Sequence, residues 1–225
     1  MQILIINNSM TFFMIITRQK ELNSLLESIG ENPVFIVGCS ECATLCHTGG
    51  EDEVLAMKTY LGEKNIVVTG WVVLDPACHL QNDKRLLRKY STELTQAKKI
   101  LVLACGNGVQ TVSEIIEDAD IISGTDTLFL GEIKHANEFE KRCIMCGVCI
   151  QDEFGGLCPV SRCPKSMLNG PCGGSIDGKC EVNSNMDCVW DLIYKSLKEK
   201  DQLYLLKEIR VPKDWSKSSE WRRMT

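Results

Sequence analysis

No basic block interrupts this sequence, and that absence excludes a broad class of partner. Lys and Arg number 25 against 30 Asp and Glu, for a net charge of −5. Phosphate backbones are held by a clustered cationic face, so neither DNA nor RNA is expected as a partner. Long apolar runs are missing too. The opening MQILIINNSMTFFMII is interrupted by Asn, Ser and Thr and is shorter than the about 20 apolar residues of a membrane-spanning helix. Its first basic residues, Arg18 and Lys20, follow the apolar stretch. A secretory leader has the opposite order and ends in a small-residue cleavage site. A cytoplasmic protein without a membrane span is therefore expected. Met14 is as good a start as Met1, which leaves residues 1–13 open as native sequence.

Nucleotide fingerprints are absent as well. There is no G-x-G-x-x-G, and no Lys–Ser/Thr follows a glycine-rich loop, so nothing marks a flavin, dinucleotide or nucleotide phosphate site. Gly106-Asn107-Gly108 sits where a phosphate loop would, and reads instead as a tight turn bringing backbone amides toward Cys105. Histidine is scarce, with three in the chain. His47 and His79 each follow a cysteine and suit either zinc ligation or a hydrogen-bond role near one; His135 has no such neighbour. No acid–base constellation emerges, and no internal repeat.

Cysteine is what the chain has in excess. Thirteen is an odd number, and a disulfide framework needs an oxidising compartment, so reduced thiols are expected. Eight of them run C-x2-C-x2-C-x8-C-x4-C-x8-C-x7-C-x7-C from Cys143 through Cys146, Cys149, Cys158, Cys163, Cys172 and Cys180 to Cys188. Eight thiolates supply two four-ligand centres with none left over. The opening C-x2-C-x2-C matches the first three ligands of a bacterial-type iron–sulfur run, and Cys158 and Cys163 precede prolines as the last ligand of such a run does. Zinc sites usually come as paired C-x2-C knuckles, a spacing found here only at Cys143, Cys146 and Cys149. Two [4Fe–4S] clusters are therefore expected in this run, with two zincs, or one centre of each kind, as the alternatives. Lys141, Arg142 and Lys165 flank the run and read as solvated surface rather than as counter-charge to a cluster.

The other five cysteines have a different logic. Valine- and isoleucine-rich runs at 33–40, 65–76, 98–106 and 119–126 read as buried strands, with helices at 18–30, 51–61, 79–97 and 108–118. Such alternation predicts a small doubly wound α/β domain with a parallel sheet at 14–138. Cys39, Cys42 and Cys46 then follow the first of these strands, Cys78 the second, and Cys105 ends the third. Ligands in such sheets sit beyond the carboxyl ends of the strands. A metal site is expected there, most simply a third cubane cluster, with zinc open at one of the sites. Cys42, Cys46, Cys78 and Cys105 are the preferred ligands, with Cys39 as substitute. The competing reading is that Cys39 and Cys105 are small buried hydrophobes.

From 139 to 188 Gly, Pro and Cys dominate, so metal rather than an apolar core is expected to order the segment. Residues 139–209 read as a ferredoxin-like cluster domain closed by a helix at 186–209. Residues 210–225 form a polar tail that retains Trp215 and Trp221. Tryptophan is a frequent interface anchor, which makes the tail a docking candidate.

LVLACGNGVQT, TLFLGE, CIMCGVCI and GGLCPVSRCPKSMLNGPCGGSIDGKCEV, followed by CVWDLIYKSLK, resemble the small cysteine-rich subunit of two-subunit methylenetetrahydrofolate reductases, found notably in acetogenic bacteria and also known as the methylenetetrahydrofolate reductase C-terminal domain family. VGCSECATLCHTGG and the PKDWS tail fit it too, so the resemblance runs from about Met14 to Ser216. It implies iron–sulfur centres, with zinc in some members, and a partner: a flavin-binding barrel subunit that holds folate and performs the hydride transfer. The present chain would then relay electrons between a donor and that subunit, or serve as a redox-inert, zinc-stapled support for it.

Overall fold

The computed structural model describes residues 14–135 and 138–220. Residues 1–13 and Trp221 lie outside these. The chain divides into two compact units, with the division between Phe129 and Leu130.

In the first unit, β1 (Ile15–Gln19) leads into α1 (Leu22–Ile29), β2 (Val34–Cys39), the single turn α2 (Cys42–Leu45) and α3 (Glu51–Glu63). Then come β3 (Val68–Leu74), α4 (Leu80–Leu87), a 3₁₀ turn at Arg88–Tyr90, α5 (Ser91–Gln96), β4 (Lys99–Leu103), α6 (Gly106–Ile115) and β5 (Asp120–Ser123). β3, β2, β4 and β5 form, in that order, a four-stranded sheet whose pairs are all parallel. Val37 faces Val72 on one side and Val102 on the other. Alternation along β2 sends Val34 and Ile36 to one face and Phe35, Val37 and Cys39 to the other. Leu25, Ile29, Val54, Met57 and Leu61 from α1 and α3 cover the first face. Leu87, Ala97 and Val112 pack on the second. With both faces buried, the strands carry continuous apolar runs. The expected doubly wound parallel sheet is present.

Three local expectations need correction. The helix expected over 18–30 starts only at Leu22, because residues 15–19 form a strand. The helix expected over 79–97 breaks at Arg88–Tyr90, where Tyr90 packs edge-on against Phe35 at 5.8 Å between ring centres. Gly106-Asn107-Gly108 is not a separate turn; it is the first turn of α6, with the Gly106 N–H donated to Thr127 Oγ1 at 2.8 Å.

The chain passes into the second unit within β6 (Thr125–His135), whose residues from Leu130 onward pair with β7 (Glu138–Cys143). β6 and β7 pair antiparallel. Arg142 pairs with Glu132 and lies 3.1 Å from Glu140, which is also 2.9 Å from Lys134 and 3.3 Å from Arg162. These cross-strand charges take the place of an apolar pattern along β7. Beyond it, regular structure is sparse: a 3₁₀ turn at Gln151–Phe154, the short α7 (Pro159–Arg162), and α8 (Val189–Glu199). α8 buries Val189, Trp190, Ile193 and Leu197 against Phe154. Trp190 donates its indole N–H to the Met167 carbonyl at 3.2 Å. The helix expected over 186–209 therefore ends at Glu199; a 3₁₀ turn at Leu203–Lys207 follows it, and α9 (Lys217–Glu220) ends the described chain.

Candidate metal centres at the strand ends and in the cysteine-rich unit

β2 lies between β3 and β4, and successive connections leave it in opposite directions. This makes the carboxyl edge between β2 and β4 a topological switch point, where open α/β sheets leave a crevice for ligands. Cys39 is the last residue of β2, and Cys105 caps the start of α6 just after β4. Cys78 follows β3, and Cys42 opens α2. The four line one small cavity of about 20 Å³ with Glu41, Pro76, Ala77, Ala104 and Gly108. Cys46 is not among its lining residues. The Cys46 thiol donates to the Ile15 carbonyl at 3.7 Å, while Cys42 Sγ accepts from the Ile15 N–H at 3.4 Å.

Burial governs these sulfurs electrically. Burial pushes the Cys42 thiol up to about 11; the Ile15 amide opposes the rise, and the nearby Cys105, Cys39 and Cys46 thiols add to it. Cys39 and Cys78 are also raised, first by burial and with a contribution from Cys105. Several thiolates would repel one another here unless a cation held them.

The histidines take no part in this cavity. His47 faces Glu53 at 3.8 Å, and His79 caps α4, its Nδ1 accepting the Asn82 N–H at 3.3 Å. Asp83, which nothing in the sequence singled out, is buried on the same helix. It accepts from the His79 N–H at 3.1 Å, while its other oxygen has no partner among the described residues. Burial pushes this carboxyl up to about 6, against the His79 amide and imidazole.

In the second unit four of the eight cysteines come together around one cavity. Cys163, Cys172, Cys180 and Cys188 share a second cavity of about 20 Å³. Cys163 ends α7 and Cys188 caps α8. Bridges from Lys179 to Ile176 and to Asp187 fold 176–188 back on itself, and the Cys180 and Cys188 amides bond to Met186 and Gly178 at 2.9 and 2.7 Å. Cys172 Sγ lies 3.3 Å from Glu181, which pairs with Lys165. Cys143, Cys146, Cys149 and Cys158 do not line this cavity. Cys143 Sγ accepts the Met145 N–H at 3.3 Å, and Cys146 and Cys149 bond locally to Val148 and Gln151. Gly147, at φ +81, allows the close turn between them.

No disulfide links the thirteen cysteines. As they stand, no three His, Cys, Asp or Glu side chains among the described residues converge tightly enough to hold a metal ion. Ligation in either unit would require these thiols to draw closer together. The donor sets themselves, four thiols around each cavity, fit soft metals. No described helix is long and apolar enough to cross a membrane.

No curated protein and no solved structure is matched by the chain. Residues 122–216 match the family model described as methylene-tetrahydrofolate reductase C terminal. That segment spans β6, β7 and all eight cysteines of the second unit, and over it the chain is similar to the C-terminal part of methylenetetrahydrofolate reductases.

Proposed function

We propose that this chain is the iron–sulfur, electron-carrying and docking component of a methylenetetrahydrofolate reductase. It would work beside a flavin-bearing subunit that reduces methylenetetrahydrofolate to methyltetrahydrofolate. The observation that carries this reading is coincidence: the family match falls on the segment that holds the eight-cysteine run. The shared cavity of Cys163, Cys172, Cys180 and Cys188 supports one centre; the remaining Cys143, Cys146, Cys149 and Cys158 would then hold the other. When bound, iron–sulfur clusters supply one-electron carriers. The chain's own residues anchor them. The β6–β7 charge network fixes Cys143, α7 presents Cys158 and Cys163, and the Trp190 core fixes Cys188.

A redox-inert, zinc-stapled support is the second reading, favoured by the small volumes of the two thiol cavities.

Docking is supported by the segment after Leu206. Arg210 turns inward, stacks on Phe154 at 4.5 Å and pairs with Glu153, and its backbone is held on both sides by Asn169 at 2.8 and 2.9 Å. Its neighbours Ile209 and Val211 face outward at 87% and 81% exposure, and Trp215 is half exposed. An inward anchor that displays flanking apolar side chains suits a partner surface. The test is anaerobic co-purification with a flavin-containing methylenetetrahydrofolate reductase subunit. The full chain should bind, and the pair Ile209→Asp with Val211→Asp should weaken binding by roughly tenfold or more. A full-length chain that never binds the flavin subunit overturns the reading; undiminished binding by the double variant removes only the docking role of this segment.

A further inference from the structure

We infer that the first unit pairs with a second copy of this chain through a groove at the amino end of its parallel sheet, Lys84 and Arg88 of each copy meeting Glu117 and Asp118 of the other. The contact involves no metal and lies outside the matched segment 122–216.

The groove lies between the α4–α5 bend and the end of α6, and encloses about 440 Å³. Ala97, shortly before β4, and Ala119, just before β5, place it at the sheet edge opposite the cysteines. Its floor is apolar. Leu94, Ile115 and Ile116 are half-buried there, continuing the core to which Leu87 and Ala97 belong. Such a floor gains free energy when it is covered.

The charges on the walls say what covers it. Lys84 and Arg88 stand one turn apart on α4 and the 3₁₀ turn after it; Glu117 and Asp118 follow α6 on the other wall. Elsewhere in the unit, neighbouring charges pair within the chain: Lys99 with Asp120 at 2.8 Å and Lys20 with Asp126 at 3.6 Å. None of the four groove side chains makes an ion pair or hydrogen bond among the described residues. Two bases, an apolar middle and two acids form a bipolar patch. A twofold axis in the plane of contact, crossing the line from bases to acids, sets each basic pair over the other copy's acidic pair. That is the isologous contact of the commonest homo-oligomers. Arg88, Glu117 and Asp118 are exposed and Lys84 is half-buried. The stems of Lys84 and Arg88 can lie over the other copy's apolar floor while their heads reach its carboxylates. An unrelated protein would have to supply the same two charge pairs in reverse order; a second copy carries them already.

Sedimentation equilibrium of the full-length chain tests this, with the protein kept anaerobic and reduced so that no disulfide links copies. The wild type should approach twice its 25.2 kDa, with half-association in the micromolar range that weakens as salt rises. Lys84→Glu with Arg88→Glu makes the patch wholly acidic, and Glu117→Lys with Asp118→Lys makes it wholly basic. Each double variant alone should associate at least about a hundredfold more weakly, because like charges then face each other. Mixed in equal amounts, the two should pair with one another at close to wild-type strength. Should a double variant fail to fold, Arg88→Glu and Glu117→Lys, both at exposed positions, take its place in the same comparison. A wild type that stays monomeric at about 100 µM, variants that still dimerise alone, or a mixture that does not pair overturns the inference. Ile209→Asp with Val211→Asp should dimerise like the wild type, which separates this contact from docking of the flavin subunit; loss of the dimer in that variant would put the contact elsewhere and overturn it too.

Discussion

Gly49→Ala should destabilise the first unit by about 3–4 kcal/mol, the range of overpacking in its severe form. A Cβ at Gly49 would lie 1.8 Å from the Leu103 carbonyl oxygen and 2.7 Å from its carbonyl carbon. The obstacle is the backbone of β4, not a side chain that could rotate away. Gly49 also accepts the Cys39 N–H at 2.8 Å, and a Cβ at Gly38 would meet Gly49's own carbonyl at 2.6 Å. Gly38 and Gly49 therefore let two backbone segments touch at the edge where the strand-end thiols gather. Any displacement of β4 should also disturb Cys105. Gly62→Ala is the control. It lies within α3 with nothing within 4 Å of the added methyl, so it should be neutral or stabilise by up to about 1 kcal/mol through helix propensity. Denaturant titration of both variants measures the difference. Equal midpoints for Gly49→Ala and the wild type would show that the close approach is not a constraint.

The second large effect concerns iron. Cys146→Ala should remove roughly half of the iron bound by the second unit and loosen it, since ligand binding there supplies folding energy. The proposed grouping makes this sharper. Adding Cys149→Ala to Cys146→Ala should cost no further iron, because both belong to one centre. Adding Cys172→Ala should remove the remainder. Unchanged iron in Cys146→Ala sinks the cluster assignment, and equal loss in the two double variants sinks the grouping.

Legibility in the sequence followed burial. β2 and β4 are unbroken apolar runs because both faces of the sheet are covered, and α3 begins and ends close to its expected bounds. The β6–β7 hairpin was not legible. EFEKRC has almost no apolar residue, and β7 is held by Glu132, Glu140, Arg142 and Arg162, whose pairing a linear pattern does not show. The break between α4 and α5 lacks a proline or glycine to mark it; it occurs where Tyr90 turns to meet Phe35. At the strand ends, spacing identified the five cysteines around the edge. It could not say which of them line one cavity: Cys39 does and Cys46 does not. Glu41 on the cavity wall and the half-satisfied carboxylate of Asp83 left no signal, because burial, which a linear pattern of polar residues does not show, is what sets them apart.

The central claim is that this chain carries electrons through iron–sulfur centres in its second unit. Iron and acid-labile sulfide, measured on the anaerobically purified full-length chain alongside its visible spectrum before and after dithionite, test it most directly. Two clusters predict about eight irons and about eight sulfides per chain, a brown protein and a spectrum that bleaches on reduction. A colourless protein holding zinc alone, with no sulfide and no reducible band, would contradict the account and leave the zinc-stapled support in its place.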